Sequence, residues 1–302
     1  MEERPPEIRR PRQASPTTRA LAALGGLILG IGVLAAIAFA VVGRNSGASS
    51  GPATQDTTTG PPPKPVLRIV FPEGFTRVEM ADRITAVNKI AEDKRQITPN
   101  LSEQEYLRVT KTTDPPAGFP KNVPNLEGFL FPATYDFTED TTSKELVGDQ
   151  LEAFDHNWSQ IDLKYAKSKN LTPYDVLTIA SMIEKEVQVP KERPLVAAVV
   201  YNRLHLDMPL GIDATIRYGL NIPPTQSILE SQLRSDNPYN TRKLPGLPPT
   251  PIANPGLASM QAAAHPAKVD YLFFARKPDK VHHFFTASEQ EFEQYLAANG
   301  YG

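Results

Sequence analysis

The chain of 302 residues has no cysteine, one tryptophan and five histidines. Without thiols there is no disulfide, no zinc–thiolate site, no cysteine nucleophile and no lipid-modified cysteine. The formal charge of −2 leaves no basic excess to recruit a nucleic acid. No phosphate-binding glycine loop, Ser-His-Asp arrangement or dinucleotide fingerprint is present. His282 and His283 are neighbours on an expected strand and so face opposite ways, with no third ligand in evidence. Neither a metal nor a cofactor is expected. What remains for chemistry is carboxylates.

Proline is plentiful, with 30 residues clustered at the N-terminus, at 61–65 and at 238–255. Residues 1–19 are polar and carry Arg9, Arg10, Arg12 and Arg19, whereas 20–43 hold no charge. As a helix that run is about 36 Å long, against a bilayer core of about 30 Å. It reads as a transmembrane helix, with the arginines keeping residues 1–19 in the cytoplasm. The alternative, a cleaved signal peptide at Ala38-Phe39-Ala40, suits the run less well because it is long for a signal core. Residues 44–65 are small, polar and proline-rich, a linker with nothing apolar to bury.

From 66 to 115 the sequence predicts a small β-α-α unit. VLRIVF alternates as a strand, Pro72-Glu73-Gly74 turns, and Thr76 with Glu79 and Ser102 with Glu105 are capping boxes for two helices. A third box, Thr142 with Glu145, opens a helix whose stripe ends in Trp158, read as packing. Another apolar helix is expected from about Pro194 to Leu206. Strands at 271–275 and 282–285 flank a Pro278-Asp279 turn.

The stretch LTPYDVLTIASMIEKEVQVP (171–190) stands out. Thr172 caps a helix, Pro173 suits its first position and Asp175 completes a capping box. Val176, Ile179, Ala180, Ile183 and Val187 form one apolar stripe, and Pro190 stops the helix. Glu184 and Glu186 ride on it. Residues i and i+2 point to nearly opposite sides of a helix, so the pair cannot flank one scissile bond. On the wheel Glu186 lies roughly 70° from the stripe and Glu184 roughly 90° on the other flank, with Lys185 solvated opposite. That favours Glu186 as the semi-buried acid, able to hold a proton to give away. On spacing alone, the reading of both as ordinary rim residues stands well ahead of a catalytic one.

ASMIEKEV, followed by VAAVVYNRLHLDMPLGIDATIRYGL, resembles the signature of the MltG-type (YceG-like) endolytic murein transglycosylases. NLEGFLFPATYDF (125–137) upstream, and PYNTRKLPGLPPTPIANPGLASMQAAAHPAK (238–268), YLFFA and HHFFT downstream, match in the same order, covering about 116–302. The resemblance implies an α+β fold with five parts: a cytoplasmic tail at 1–19, a transmembrane helix at 20–43, a linker at 44–65, a LysM-like subdomain at 66–115, and a YceG-like catalytic domain at 116–302. The last consists of helices with a short antiparallel sheet. The resemblance also implies that Glu186 is the catalytic acid. Glu127, Tyr135, Asn202, Arg203, Asp213, Thr215, Tyr239, Asn240 and Asn254 become candidates for substrate binding, with 238–255 expected as a stiff loop along a groove.

The implied activity is endolytic cleavage of MurNAc–GlcNAc β-1,4 bonds in nascent peptidoglycan strands, leaving 1,6-anhydroMurNAc ends. Glycan strands, the membrane and synthases of the elongation or division machinery are the implied partners, at the inner membrane with the catalytic domain outside. A membrane-anchored muramidase with Asp213 or Glu127 as second carboxylate, and a glycan-binding scaffold without catalysis, are the alternatives. The chain departs from the family pattern at Gly211, Ile212 and Ala214, where glutamine, threonine and proline are usual, at Ala133, where aspartate is usual, and near the C-terminus, where SEQEFEQYL lacks the family's second histidine-containing motif.

Overall fold

Three helices of this protein start in the same way. In the structure, a computed structural model that describes residues 64–300, Thr76, Thr142 and Thr172 each accept the N–H three residues on. The carboxylates of Glu79, Glu145 and Asp175 reach back to the cap N–H. These boxes open α1 (Arg77–Arg95), α3 (Ser143–Trp158) and α5 (Pro173–Glu186). Ser102 caps α2 (Glu103–Thr112) with only half a box. Glu105 turns instead to Arg108, and the Ser102 N–H donates to Ser143 Oγ at 2.9 Å. The rest of the order is β1 (Leu67–Val70) before α1, β2 (Thr134–Phe137) before α3, α4 (Lys164–Ser168), then α6 (Arg193–His205), α7 (Asp213–Gly219), α8 (Glu230–Leu233) and α9 (Leu257–Ala264) after α5, and finally β3 (Phe273–Arg276), β4 (His283–Thr286) and α10 (Glu289–Ala298).

The architecture is mixed, with helices and two small antiparallel sheets rather than the single sheet expected. β3 and β4 pair Phe273 with Thr286 through Arg276 with His283. β1 pairs with β2, Leu67 opposite Phe137 and Val70 opposite Thr134. That ladder joins the stretch read as 66–115 to the stretch read as 116–302, and the two share one apolar core: Ile69, Met80, Ile84 and Tyr106 belong to the same buried cluster as Leu126, Phe129 and Ile183. The backbone at Ala133 extends the ladder, its carbonyl accepting the Phe71 N–H at 2.9 Å. The expected transmembrane helix at 20–43 lies outside the described residues. Among those described, no helix is long and apolar enough to cross a membrane.

α5 is the centre of the packing. From Val176 to Ile183 every residue is buried, the mark of a helix enclosed on all sides. It packs on α9, α6 and α7. Leu177, Ile179, Met182 and Ile183 are fully buried, each contributing about 1.5–3 kcal/mol by leaving water. Gly128 lets the neighbouring backbone approach: it has φ +92°, and a Cβ there would lie 2.7 Å from Pro251. Trp158 stacks on Phe154 with ring centres 5.6 Å apart, a packing role.

The proline-rich segment is only partly on the surface: Pro238, Lys243, Pro245 and Pro249 are exposed, and the rest turns inward. Asn240, Thr250, Ile252, Ala253 and Asn254 are all buried. The Ile252 N–H donates to Ser181 Oγ of α5 at 3.0 Å, and Asn254 exchanges backbone bonds with Gly74 and Phe75. A loop threaded between elements has to satisfy its own polar groups internally; Asn254 is consumed in doing so, whereas Asn240 uses its Nδ2 and leaves its Oδ1 without a partner among the described residues.

Candidate active site

α5 stops at Glu186, four residues before the proline expected to end it. Val187 leaves helical geometry (φ −107°, ψ 122°) and turns its side chain into the core; β-branched residues favour such extended backbone. Pro190 instead opens a short 3₁₀ turn, Pro190–Glu192. The early stop places Glu186 in the last turn, where carbonyls lack helical partners. Its carbonyl accepts a hydrogen bond from Arg276 Nη2 of β3 at 3.1 Å.

The Glu186 carboxyl is half-buried and takes the backbone N–H of Ala214, one of the unpaired donors at the start of α7. Burial pushes its pKa up to about 7. The neighbouring Asp213 pushes the same way, while Arg276, Arg242 and the Ala214 N–H pull against them. Asp213, the first residue of α7, is itself ion-paired with Arg242. The site is therefore one proton-holding carboxyl beside an Asp213–Arg242 pair, with Arg276 behind it.

The three residues of the E-K-E triplet take three directions. The Glu184 side chain is 7% exposed; it accepts the Gly256 N–H at 3.0 Å and faces Arg193 at 3.8 Å. Lys185 is not solvated as expected: it is half-buried and its Nζ donates to Gly74 O at 3.1 Å. Burial alone does not separate the two acids; their partners do. Glu184 holds the N-terminus of α9, whereas Glu186 meets α7 and β3.

Asp213 is the sequence-derived candidate brought to Glu186. Thr215 stands two residues on, fully buried, bonded to Ile212 O at 2.7 Å and Thr241 Oγ1 at 2.9 Å. It braces α7 and offers no free hydroxyl to a substrate. Thr241 also holds the N–H groups of Gly211 (2.8 Å) and Ile212 (3.1 Å), so the loop that carries Arg242 is tied to the start of α7. Gly211, a departure from the family pattern, has φ +70°, and a Cβ there would sit 3.0 Å from Arg203 Nη1. The backbone itself asks for glycine.

Several expected binding residues are internal braces instead. Asn254 is fully buried; its Oδ1 accepts from the N–H groups of Gly128 (2.8 Å) and Leu130 (3.0 Å), and its Nδ2 donates to Phe75 O and Glu127 Oε1, both at 2.9 Å. Glu127, 2% exposed, also accepts the Arg77 N–H at the start of α1 at 3.0 Å and the Tyr218 hydroxyl at 3.1 Å. Burial pushes its pKa up to about 7 against the pull of those donors. Asn240 is buried, with Nδ2 on Leu233 O and Ser235 O. Tyr135 is buried too, its hydroxyl donating to Phe131 O at 2.7 Å.

Arg203 donates to the carbonyls of Leu272, Pro209 and Leu210 and lies 5.2 Å over the Phe273 ring; burial pulls its pKa down to about 10. It clamps β3 to the segment before α7. Asn202 Nδ2 holds Val269 O and Tyr271 O (3.0 and 2.9 Å) on the edge of an open cleft of about 690 Å³ that also includes Tyr165 and Lys268. Tyr239 is half-buried, its ring 5.3 Å from Tyr218 and its hydroxyl paired with Thr250.

Sequence reasoning missed Arg242 and Arg276. The first lies inside the matched block at 238–268 and the second directly follows YLFFA, so position in those blocks was the available signal. His283 and His282 do face opposite ways: His282 pairs with exposed Asp279 at 3.0 Å, and His283 is buried against Glu192 at 2.8 Å.

The family model described as YceG-like family matches residues 46–298. A protein of Bacillus subtilis named endolytic murein transglycosylase is 35% identical over 216 residues, 70% of this chain and 59% of that protein. A Streptococcus pneumoniae protein of the same name is 32% identical over 259 residues, 79% of this chain and 46% of that protein. The chain thus spans about half the length of these relatives. A crystal structure of a yceG-like protein from Listeria monocytogenes superposes with TM-score 0.63 at 31% identity, covering 76% of this chain and 75% of that one. With the match spanning nearly all of the described residues, this chain belongs to the YceG-like family.

Proposed function

We propose that this protein is an endolytic lytic transglycosylase that cuts MurNAc–GlcNAc β-1,4 bonds within peptidoglycan strands and leaves 1,6-anhydroMurNAc ends. The observation that carries the proposal is the half-buried Glu186 carboxyl, its pKa pushed up to about 7, at the junction of α5, α7 and β3. A pKa near the working pH lets one residue start as the acid and take a proton back at little cost in either direction. The relatives' printed names support the same reaction.

In the mechanism Glu186 gives its proton to the glycosidic oxygen as the C1–O bond breaks. The resulting carboxylate then takes the proton of the MurNAc C6 hydroxyl while that oxygen bonds to C1, returning Glu186 to its acid form. The nucleophile comes from the substrate, so water is not consumed and no second catalytic carboxylate is needed. Asp213, held by Arg242, raises the proton affinity of Glu186; Arg276 and the Ala214 N–H stabilise the carboxylate between the two transfers. Tyr239 and the cleft at Asn202 are the remaining candidates for glycan contact.

The setting proposed with this activity has residues 20–43 as a single-pass anchor in the inner membrane, residues 1–19 in the cytoplasm and the catalytic part outside. The anchor would place the enzyme on strands as synthases release them, so that cleavage limits strand length. Residues 66–115 would be a LysM-like element built into the catalytic fold through the β1–β2 ladder.

The test is mass spectrometry of purified glycan strands incubated with the full chain and with Glu186→Gln. Internal fragments ending in 1,6-anhydroMurNAc, lighter by one water than hydrolytic ends and absent with the variant, are expected. Reducing ends would make the protein a muramidase, and no products from any strand would make it a binding protein.

A further inference from the structure

We propose that the groove between β1 and the outer face of α1 seats on a bilayer surface rich in anionic phospholipid. The groove has a volume of about 200 Å³ and lies away from Glu186, formed by the first strand and first helix of the described chain. Four of its nine lining residues are basic, Arg68, Arg83, Lys94 and Arg95, and none is acidic. Between them the surface is apolar, with Val70, Val87 and Ile90 exposed to the groove.

The pattern is periodic. Arg83, Val87, Ile90 and Lys94 recur at i, i+4, i+7 and i+11, one face of α1, while Glu79, Asp82, Glu92 and Asp93 of the same helix do not line the groove. The main apolar face of α1 (Met80, Ala81, Ile84, Ala91) is in the core, so Val87 and Ile90 add only a small apolar contact and the four cations supply the larger attraction to an anionic surface. The neighbouring strand adds to it: Val66 is 61% exposed and Val70 49% exposed, with Arg68 between them on the same face. Asp136, exposed across the ladder from Arg68, offsets that charge; Arg83 lies over the Phe75 ring, and Arg95 has a partner of its own. The attraction should therefore be moderate and sensitive to salt.

Chain order is compatible with the same occupant. β1 starts at Leu67, with the 23 residues 44–66 between it and the 20–43 run proposed as the anchor, so the linker is long enough to let this face reach the bilayer. The inference rests on that anchoring. The intervening segment 44–65 offers no valine, leucine, isoleucine, methionine or aromatic residue to fill the groove, which disfavours self-occupation. The consequence is orientation: α1 held against the lipid would keep the catalytic face turned toward strands leaving the membrane.

The absence of cysteine makes a single introduced label unambiguous. The full chain with Ile90→Cys carrying a bimane fluorophore would be mixed with vesicles of phosphatidylcholine alone or with added phosphatidylglycerol, each containing doxyl-quencher lipid. Flotation reads insertion of the anchor, and quenching reads the groove. Expected is quenching about threefold or more stronger with phosphatidylglycerol, lost in Arg83→Gln/Lys94→Gln and in high salt, while the variant floats and melts like the parent.

Equal quenching in both vesicles, or none in chain that floats, would overturn the proposal. So would label protection that depends on protein concentration without lipid, which would make a second copy the occupant. Binding only to phosphatidylglycerol vesicles, with no flotation on neutral ones, would keep the groove and remove the anchor. No flotation with either would remove both.

Discussion

The backbone carbonyl of Glu186 accepts a hydrogen bond from Arg276 Nη2 at 3.1 Å, so the last turn of the central helix and the first hairpin strand meet at the proposed acid. The bond fixes the helix end from which the carboxyl projects. The same guanidinium lowers the proton affinity of that carboxyl, against burial and Asp213, which raise it. Fine balance at one group makes the site testable by charge substitution.

Glu186→Gln keeps size and leaves the carbonyl bond to Arg276 intact. It should reduce anhydro-end formation by roughly 10²–10⁴-fold or more, with the thermal midpoint nearly unchanged. Strand cleavage and circular dichroism melting, run on one preparation, check both halves.

Glu184→Gln should do the opposite. It weakens the bond to the Gly256 N–H and removes the charge facing Arg193 in a largely buried place, a cost of about 1–3 kcal/mol. Cleavage should stay within a few-fold of the parent. If the activity loss instead follows Glu184, the assignment of the acid is wrong.

The pH profile should fall on the alkaline side near pH 7, as Glu186 loses the proton it must donate. Arg276→Met removes a cation that stabilises the carboxylate, so the alkaline limb should move to higher pH. Asp213→Asn removes the anion that raises the pKa, so the limb should move lower. Rates of anhydro-product formation across the pH range decide the signs, and a limb unmoved in both variants would separate it from Glu186.

Asn254→Ala would orphan the N–H groups of Gly128 and Leu130 and one acceptor side of Glu127 in the core. With about 1–3 kcal/mol for each buried unsatisfied group, a loss of about 3 kcal/mol or more is expected. Urea unfolding should show a lower midpoint with an unchanged slope.

Gly211→Gln, which restores the residue usual in the family, should not improve the enzyme. At φ +70° a side chain costs about 1–2 kcal/mol, and its Cβ crowds Arg203. A lower melting temperature without faster cleavage is the expected result.

What the sequence determined by itself was local. Thr172, Pro173 and Asp175 start α5, and Thr76 and Thr142 start α1 and α3, because a cap needs only residues within one turn. The apolar stripe from Val176 to Ile183 and the hairpin of β3 and β4 were legible for the same reason, through the periods of helix and strand. The ordered motif blocks brought Glu186 and Asp213 forward together, as the structure does.

Tertiary structure decided the rest. It ended α5 at Glu186 rather than at Pro190, since burying Val187 required extended backbone there. It drew Asn240 and Asn254 inside, because a loop enclosed by other elements must pair its polar groups with whatever surrounds it. Asn254 finds Glu127 across 127 residues of sequence. It gave β1 a partner in β2 and set Arg242 and Arg276 beside the proposed acid. None of these pairings is encoded within a turn of the residues that make them. Each is chosen by which distant surfaces the core brings into contact, and no local period or spacing reports that.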